Sequence, residues 1–208
     1  QKAELKSTKD SVSYGLGMDI GKNIKTQKLD VDGAIIAQAL QDYLDSAKLS
    51  LTEEQSQAVL AAWRMGLMKK QQEEAAAQGE KNKKEGETFL EENKKKEGVV
   101  TLPSGLQYKV MKSGSGPKPT ATQTVTVHYK GTLIDGTEFS SSYTNGEPIT
   151  MPLSQFIPGW SEGLQLMSVG SKYTLYIPAG LGYGERGAGG AVPPNATLIF
   201  EVELLEIK

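Results

Sequence analysis

The side chains that most often carry chemistry are sparse in this sequence. It has one histidine, His128, and no cysteine. Disulfides, thiol catalysis and Cys-ligated metals are therefore excluded. His128 suggests a general base, but no evident serine motif stands ready to be activated by it, and a metal site fits less well still. The second half is rich instead in aromatic side chains set among glycine and proline: Tyr129, Phe139, Phe156, Trp160, Tyr183 and Phe200. Tyr183 lies between Gly182 and Gly184 in a loop pattern, where a large aromatic favours binding over packing. From the sequence alone, Trp160, Tyr129 and Phe200 also pass as core residues, the last two on strand faces.

The elements that must position these residues divide at a proline boundary. All nine prolines lie at or after Pro103, and 15 of the 23 glycines follow residue 98. A long stretch without proline invites helices, whereas proline, glycine and β-branched residues invite strands and turns. In the first half Asp32 can cap a run through Ile36, Leu40, Tyr43, Leu44 and Ala47. Thr52 with Gln55 resembles a capping box ahead of Val59, Ala62, Trp63 and Leu67. Earlier still, Gly17 and Gly21 stand four apart, a spacing that lets another helix approach closely. These helices are short and their apolar stripes need a cover, for which dimerisation is the natural source.

Between Lys69 and Glu97 the pattern changes: 16 of 29 residues are charged, eight of each sign. Glu80–Lys84, Glu91–Lys95 and Glu92–Lys96 have the favourable order for a solvent-exposed helix. Gly79 and Gly86, each about 1 kcal/mol worse than alanine in a helix, argue for a flexible linker instead. A helix is the expected state. After residue 99, Thr124–Tyr129 and Lys172–Ile177 alternate as strands, and Asp135–Gly136 is a hairpin turn signal. Thr197–Ile207 puts Leu198, Phe200, Val202 and Leu204 on one face, and Phe156–Leu164 suggests a turn into a short helix. The expected class is α+β, an antiparallel sheet packed on one short helix behind an all-α segment. At 208 residues, 38% hydrophobic and 23% charged with net charge −2, the chain is a soluble globular type with no bulk attraction to nucleic acid or anionic lipid. No apolar run nears the ~18 residues of a membrane span, and Gln1–Glu4 does not read as a signal peptide.

Several separated blocks resemble the FKBP-type peptidyl-prolyl cis-trans isomerase domain in order and nearly in spacing. They are Val127–Leu133, Asp135–Phe139, Ile157–Trp160, Gly182–Gly184 and Pro193–Phe200. The resemblance covers residues 104–208. The first half, through Ser13–Gly17, the charged segment and Leu102–Tyr108, is similar to the N-terminal module of the macrophage-infectivity-potentiator (Mip) group of bacterial FKBPs.

The resemblance implies a twisted antiparallel sheet wrapped on a short helix (the FKBP fold), with an aromatic pocket between them. Residues 1–68 would form a helical dimerisation module, 69–98 a long charged connecting helix and 99–208 the isomerase domain. Trp160 would be the pocket floor, with Tyr129, Phe139, Phe156, Phe200, Ile149, Met151 and Val192 as walls. The Ile157 backbone N–H and the Tyr183 hydroxyl would each reach a carbonyl of a bound prolyl peptide. No cofactor or metal is implied. The implied partners are proline-containing peptides, unfolded protein clients, a second copy of the chain and macrolides of the rapamycin type. The implied setting is the periplasm, the outer-membrane surface or the exterior, with roles in folding exported proteins and in virulence.

Two departures stand out. The family commonly has Asp where Ser140 follows Phe139, and many relatives have Arg where this chain has Asn145. Both charges are absent together, so neither is left as an unpaired buried ion. The segment from Ile149 to Trp160 is shorter than in small single-domain FKBPs, and Ala188 and Ala191 make the rim less bulky, which weakens the case for macrolides. The competing reading is a holdase chaperone on an FKBP scaffold with catalysis reduced by Ser140.

Overall fold

A computed structural model describes residues 3–208. The chain divides into two compact units between Met65 and Gly66. The first unit holds α1 (Thr8–Thr26), α2 (Gly33–Leu44) and the start of α3 (Glu53–Asn93). Each helix begins at a side chain that satisfies its orphan N–H groups. The Ser7 hydroxyl accepts from Asp10 N–H at 3.1 Å, and Asp10 Oδ2 accepts from Ser7 N–H at 2.9 Å. Asp32 Oδ1 accepts from Ala34 N–H at 2.7 Å. Thr52 and Gln55 cap each other reciprocally at 2.9 and 3.1 Å, as their spacing predicts.

Neither α1 nor α2 buries a residue. Ile35 is 68% exposed, Tyr43 64% and Leu44 74%. A Cβ on Gly17 or Gly21 would meet nothing within 4 Å beyond its own helix backbone.

No break separates the second apolar run from the charged segment, and α3 runs through both to Asn93. The ion pairs formed along it differ from the expected ones. They are Lys69–Glu73, Lys70–Glu74 and Lys81–Glu85 at 3.9–4.0 Å and Glu91–Lys94 at 2.6 Å, all on exposed side chains. Exposed pairs are weak enough that rotamer preference selects among neighbours. The two glycines that argued for a linker are buried, and α3 buries only them and Asn93. A Cβ on Gly79 would stand 3.2 Å from Asn195 Nδ2 and 3.3 Å from Pro194 Cβ, and a Cβ on Gly86 would overlap the Thr197 hydroxyl. Close approach is what these positions require, and it offsets about 2 kcal/mol of lost helix propensity at the two sites.

The second unit is built on one antiparallel sheet of seven strands. They are β1 (Val99–Thr101), β2 (Gln107–Lys112), β3 (Thr124–Leu133), β4 (Glu138–Ser141), β5 (Ile149–Pro152), β6 (Lys172–Ile177) and β7 (Leu198–Ile207). The order is β1-β2-β6-β7-β3-β4, and β5 also pairs with β3. The C-terminal strand therefore lies centrally between β6 and β3. β4 and β5 share the outer edge of β3: β5 pairs Thr124–Val127 and β4 pairs Lys130–Thr132. After β4 comes one helical turn, α4 (Ser142–Asn145); the Asn145 side chain lies outside the described residues. The β3–β4 hairpin turns at Asp135–Gly136, where Gly136 takes φ +86° and Asp135 Oδ1 accepts from Thr137 N–H at 2.8 Å.

α5 (Pro158–Leu166) crosses the sheet. Proline at its first turn needs no N–H partner there. Gly159 and Gly163 face Ile177 and Leu175 of β6, and a Cβ on Gly163 would lie 2.8 Å from Leu175 Cδ1. The absent side chains let α5 press onto the sheet. Leu198, Phe200, Val202 and Leu204 form the buried face of β7, joined in the core by Val125, Val127, Leu164, Leu175 and Ile177.

Candidate active site

At one end of this core the packing opens into a cavity of about 250 Å³ lined by Tyr129, Phe139, Ser140, Ile149, Met151, Gln155, Phe156, Ile157, Trp160, Tyr183 and Phe200. None of these side chains carries a charge. The volume lies just below the ~300–1,000 Å³ of sites for drug-sized ligands, which suits one small ring and its flanking peptide groups.

Trp160 is 3% exposed and sits in the first turn of α5. Three rings hold it: Phe156 stacks at 4.9 Å, while Tyr129 and Phe200 meet it edge-on at 5.2 and 5.0 Å. Phe139 adds an edge contact to Phe200 at 5.4 Å. These edge-to-face and offset contacts fix ring orientation as well as burying area. Gly131 leaves room for two of the rings, since a Cβ there would lie 2.6 Å from Phe200 and 2.8 Å from Phe139. The Trp160 indole N–H is buried and has no hydrogen-bond partner among the described residues.

Tyr129 stands where β4 and β5 leave β3 unpaired on its outer edge. Ser142 Oγ fills that gap, accepting from Tyr129 N–H at 2.8 Å and lying 3.2 Å from Tyr129 O. The same hydroxyl is 2.9 Å from His128 Nδ1, and the imidazole stacks on Tyr143 at 4.7 Å. His128 thus braces the strand edge and does not line the cavity. Within the cavity, Tyr129 Oη and Ser140 Oγ are 2.8 Å apart, a neutral hydrogen bond at the position where the family commonly has Asp.

Ile157 is the N-cap of α5 and its N–H donates to no acceptor among the described residues. Tyr183 is 39% exposed at the rim. Partial burial, and then the nearby Tyr129, push the Tyr183 hydroxyl above the usual tyrosine range, so it stays a donor at neutral pH.

Two placements differ from the sequence reading. Val192 does not line the cavity. An antiparallel bridge to Ala188 turns it into the core, where it is 3% exposed. Gln155, an exposed polar residue in the turn before Phe156, joins the lining, and no periodicity or motif marks it. Among the described residues no cluster of His, Asp and Glu could hold a metal ion, and no helix is long and apolar enough to cross a membrane.

The comparisons with known proteins agree with this geometry. Residues 116–205 match the family described as FKBP-type peptidyl-prolyl cis-trans isomerase. Residues 9–110 match the domain amino-terminal to FKBP-type peptidyl-prolyl isomerase. The chain is 48% identical to the outer membrane protein MIP of Legionella longbeachae, covering 98% of this chain and 88% of that protein. The chain belongs to the FKBP family of peptidyl-prolyl isomerases. A probable FKBP-type isomerase, FkpA, of Neisseria meningitidis is 47% identical over 97% of this chain and 75% of its own length. The crystal structure of FkpA from Escherichia coli superposes with a TM-score of 0.77 at 35% identity, covering 99% of each chain. The FKBP match covers β3 through most of β7, and the amino-terminal match runs from α1 through α3 and β1 into β2.

Proposed function

We propose that this FKBP chain catalyses rotation about Xaa-Pro bonds in the cavity around Trp160. The barrier is that of a C–N bond with partial double-bond character, ~18–20 kcal/mol. Rotation abolishes the resonance, so the twisted amide is less polar than the planar one and is favoured by an uncharged, water-poor site. Trp160 serves as the floor beneath the pyrrolidine ring, with Tyr129, Phe139, Phe156, Phe200, Ile149 and Met151 around it. The Ile157 N–H and the Tyr183 hydroxyl donate to peptide carbonyls flanking the bond. Ser140 orients the Tyr129 hydroxyl. Donors set for the twisted geometry bind it more tightly than the ground state, which is what acceleration requires. A barrier lowered by about 7 kcal/mol corresponds to roughly 10⁵-fold.

The observation that carries this reading is a half-open aromatic cavity with two available donors, the Ile157 N–H and the Tyr183 hydroxyl, and no charge. Protease-coupled isomerisation of short Xaa-Pro peptides tests it. Acceleration that falls about tenfold or more in Tyr183→Phe is expected, the loss of one well-placed donor. Background rates from the folded chain would sink it.

We further propose that a second copy covers the apolar faces of the first unit. Their support is the absence of any buried residue in α1 and α2 together with exposed Leu16, Ile35, Tyr43 and Leu44. Weak binding of rapamycin-type macrolides, unfolded clients as substrates and a location beyond the inner membrane follow from the family context. The name of the Legionella relative, an outer membrane protein, points the same way.

A further inference from the structure

The C-terminal part of α3 meets the sheet unit along one narrow seam. Gly79, Asn82, Gly86 and Asn93 recur at helical spacing on one face. This face is small and polar from Gly79 to Gly86, unlike the apolar stripe by which a helix ordinarily docks, and turns apolar only near its end, where Leu90 is half-buried and Phe89 meets Tyr176 at 6.0 Å. Each contact reaches one particular atom. Asn82 Nδ2 donates to Pro194 O at 2.7 Å. Gly79 lets the backbone approach Pro194 and Asn195, and Gly86 lets it approach Thr197. Further along, the Asn93 amide donates to Gln107 Oε1 at 3.0 Å and Gln107 Nε2 donates to Leu90 O at 2.9 Å. Side chains of this kind bury little apolar area and fix distance and register instead.

The segment held by this seam ends a loop whose other end is the catalytic rim. Pro193 and Pro194 stiffen it, and Asn195 takes the left-handed φ of +53°. From that conformation Asn195 N–H donates to Gly184 O at 2.8 Å, closing the base of the loop beside Tyr183. The path is short: Asn82 amide, Pro194 carbonyl, Asn195 N–H, Gly184 carbonyl, Tyr183. The Tyr183 hydroxyl is useful only if it sits within hydrogen-bond reach of a substrate carbonyl.

We propose that the end of α3 is a splint for the catalytic rim, in which Asn82 and Gly86 are positioning residues that set the Tyr183 hydroxyl through the Pro193–Thr197 segment. This rests on the catalytic reading above. The test is Gly86→Ala in the full chain. The change improves the intrinsic helix propensity of α3, yet its Cβ collides with Thr197. Its kcat on a short Xaa-Pro peptide is expected to fall about tenfold, with KM and the helical circular-dichroism signal unchanged. Adding Thr197→Ala, which removes the colliding hydroxyl, should restore most of the rate.

A double-mutant cycle separates positioning from general structure. Gly86→Ala combined with Tyr183→Phe should be no slower than Tyr183→Phe alone, because the hydroxyl it misplaces is already gone. Asn82→Ala should show the same non-additivity with a smaller single effect, and it decides the matter if Gly86→Ala does not fold. Losses that multiply in both cycles, or a lowered unfolding midpoint with unchanged kcat, would overturn the splint and leave the catalytic reading standing. Background turnover in the unsubstituted chain, or full activity in Tyr183→Phe, would overturn both.

Discussion

The 2.8 Å contact between the Tyr129 and Ser140 hydroxyls is the chemical peculiarity of this site. A carboxylate at residue 140 would accept from the Tyr129 hydroxyl in a charge-assisted bond, roughly twice as strong as a neutral one. If about 1 kcal/mol of that difference is expressed in the transition state, turnover rises about fivefold. Ser140→Asp is therefore expected to accelerate isomerisation of short Xaa-Pro peptides, and an unchanged or lower kcat/KM would show that Tyr129 is already optimally held. The sequence makes the aromatic members of the lining readable only as a set. Trp160, Tyr129 and Phe200 are indistinguishable from core residues one at a time, because an apolar pocket and an apolar core select the same side chains. Gln155 leaves no trace, since an exposed amide in a turn obeys no period. The resemblance implies Val192 as part of the wall, and the bridge to Ala188 that turns it inward is a contact no local pattern encodes.

Elements show the same division between local and non-local information. Caps at Asp32 and Thr52, the hairpin at Asp135–Gly136 and the buried face of β7 are local patterns and were legible. The sharing of the β3 edge by β4 and β5 is a pairing choice and was not. Nor was the worth of glycine inside an element, which depends on what approaches from outside. Gly131 within β3 looks like a weak point of the strand, but the rings of Phe139 and Phe200 occupy the space its side chain would take. Gly131→Ala should lower the unfolding free energy by about 1–3 kcal/mol, the usual cost of overpacking. It should also reduce turnover by more than that stability loss explains, because the displaced rings are the cavity wall. Urea unfolding and peptide turnover on one preparation check both, and a destabilised variant with normal kcat would detach those rings from the chemistry.

For the whole molecule, the division between Met65 and Gly66 says where to cut. A cut at residue 98, natural from the sequence, would remove the end of α3 along with the apolar helices and confound two effects. A chain of residues 66–208 retains every residue of the core and the seam. It is expected to be monomeric by sedimentation, to turn over short peptides at the rate of the full chain, and to refold a proline-limited protein more slowly. The last loss reflects avidity, since two linked sites raise the effective concentration of a large client without any new contact. Equal rates on both substrates would leave the first unit without a part in substrate capture. A 66–208 chain that still sediments as a dimer would move the self-association surface out of that unit.

The rim loop is pinned at its base and open at its tip. Asn195 ties back to Gly184, Ala188 bridges to Val192, and between them Gly189 and Gly190 take φ +54° and +77° with no other atom within 4 Å of where a side chain would begin. The open space around that tip can take inserted residues without touching the bond at the base, although the left-handed backbone at Gly189 and Gly190 keeps those two positions suited to glycine. The loop thus separates what a lineage can change, the outer rim of the site, from what the proposed reaction requires it to keep, the Tyr183 hydroxyl. Divergence in clientele among relatives of this chain has a ready place to accumulate there, at no cost to the reaction.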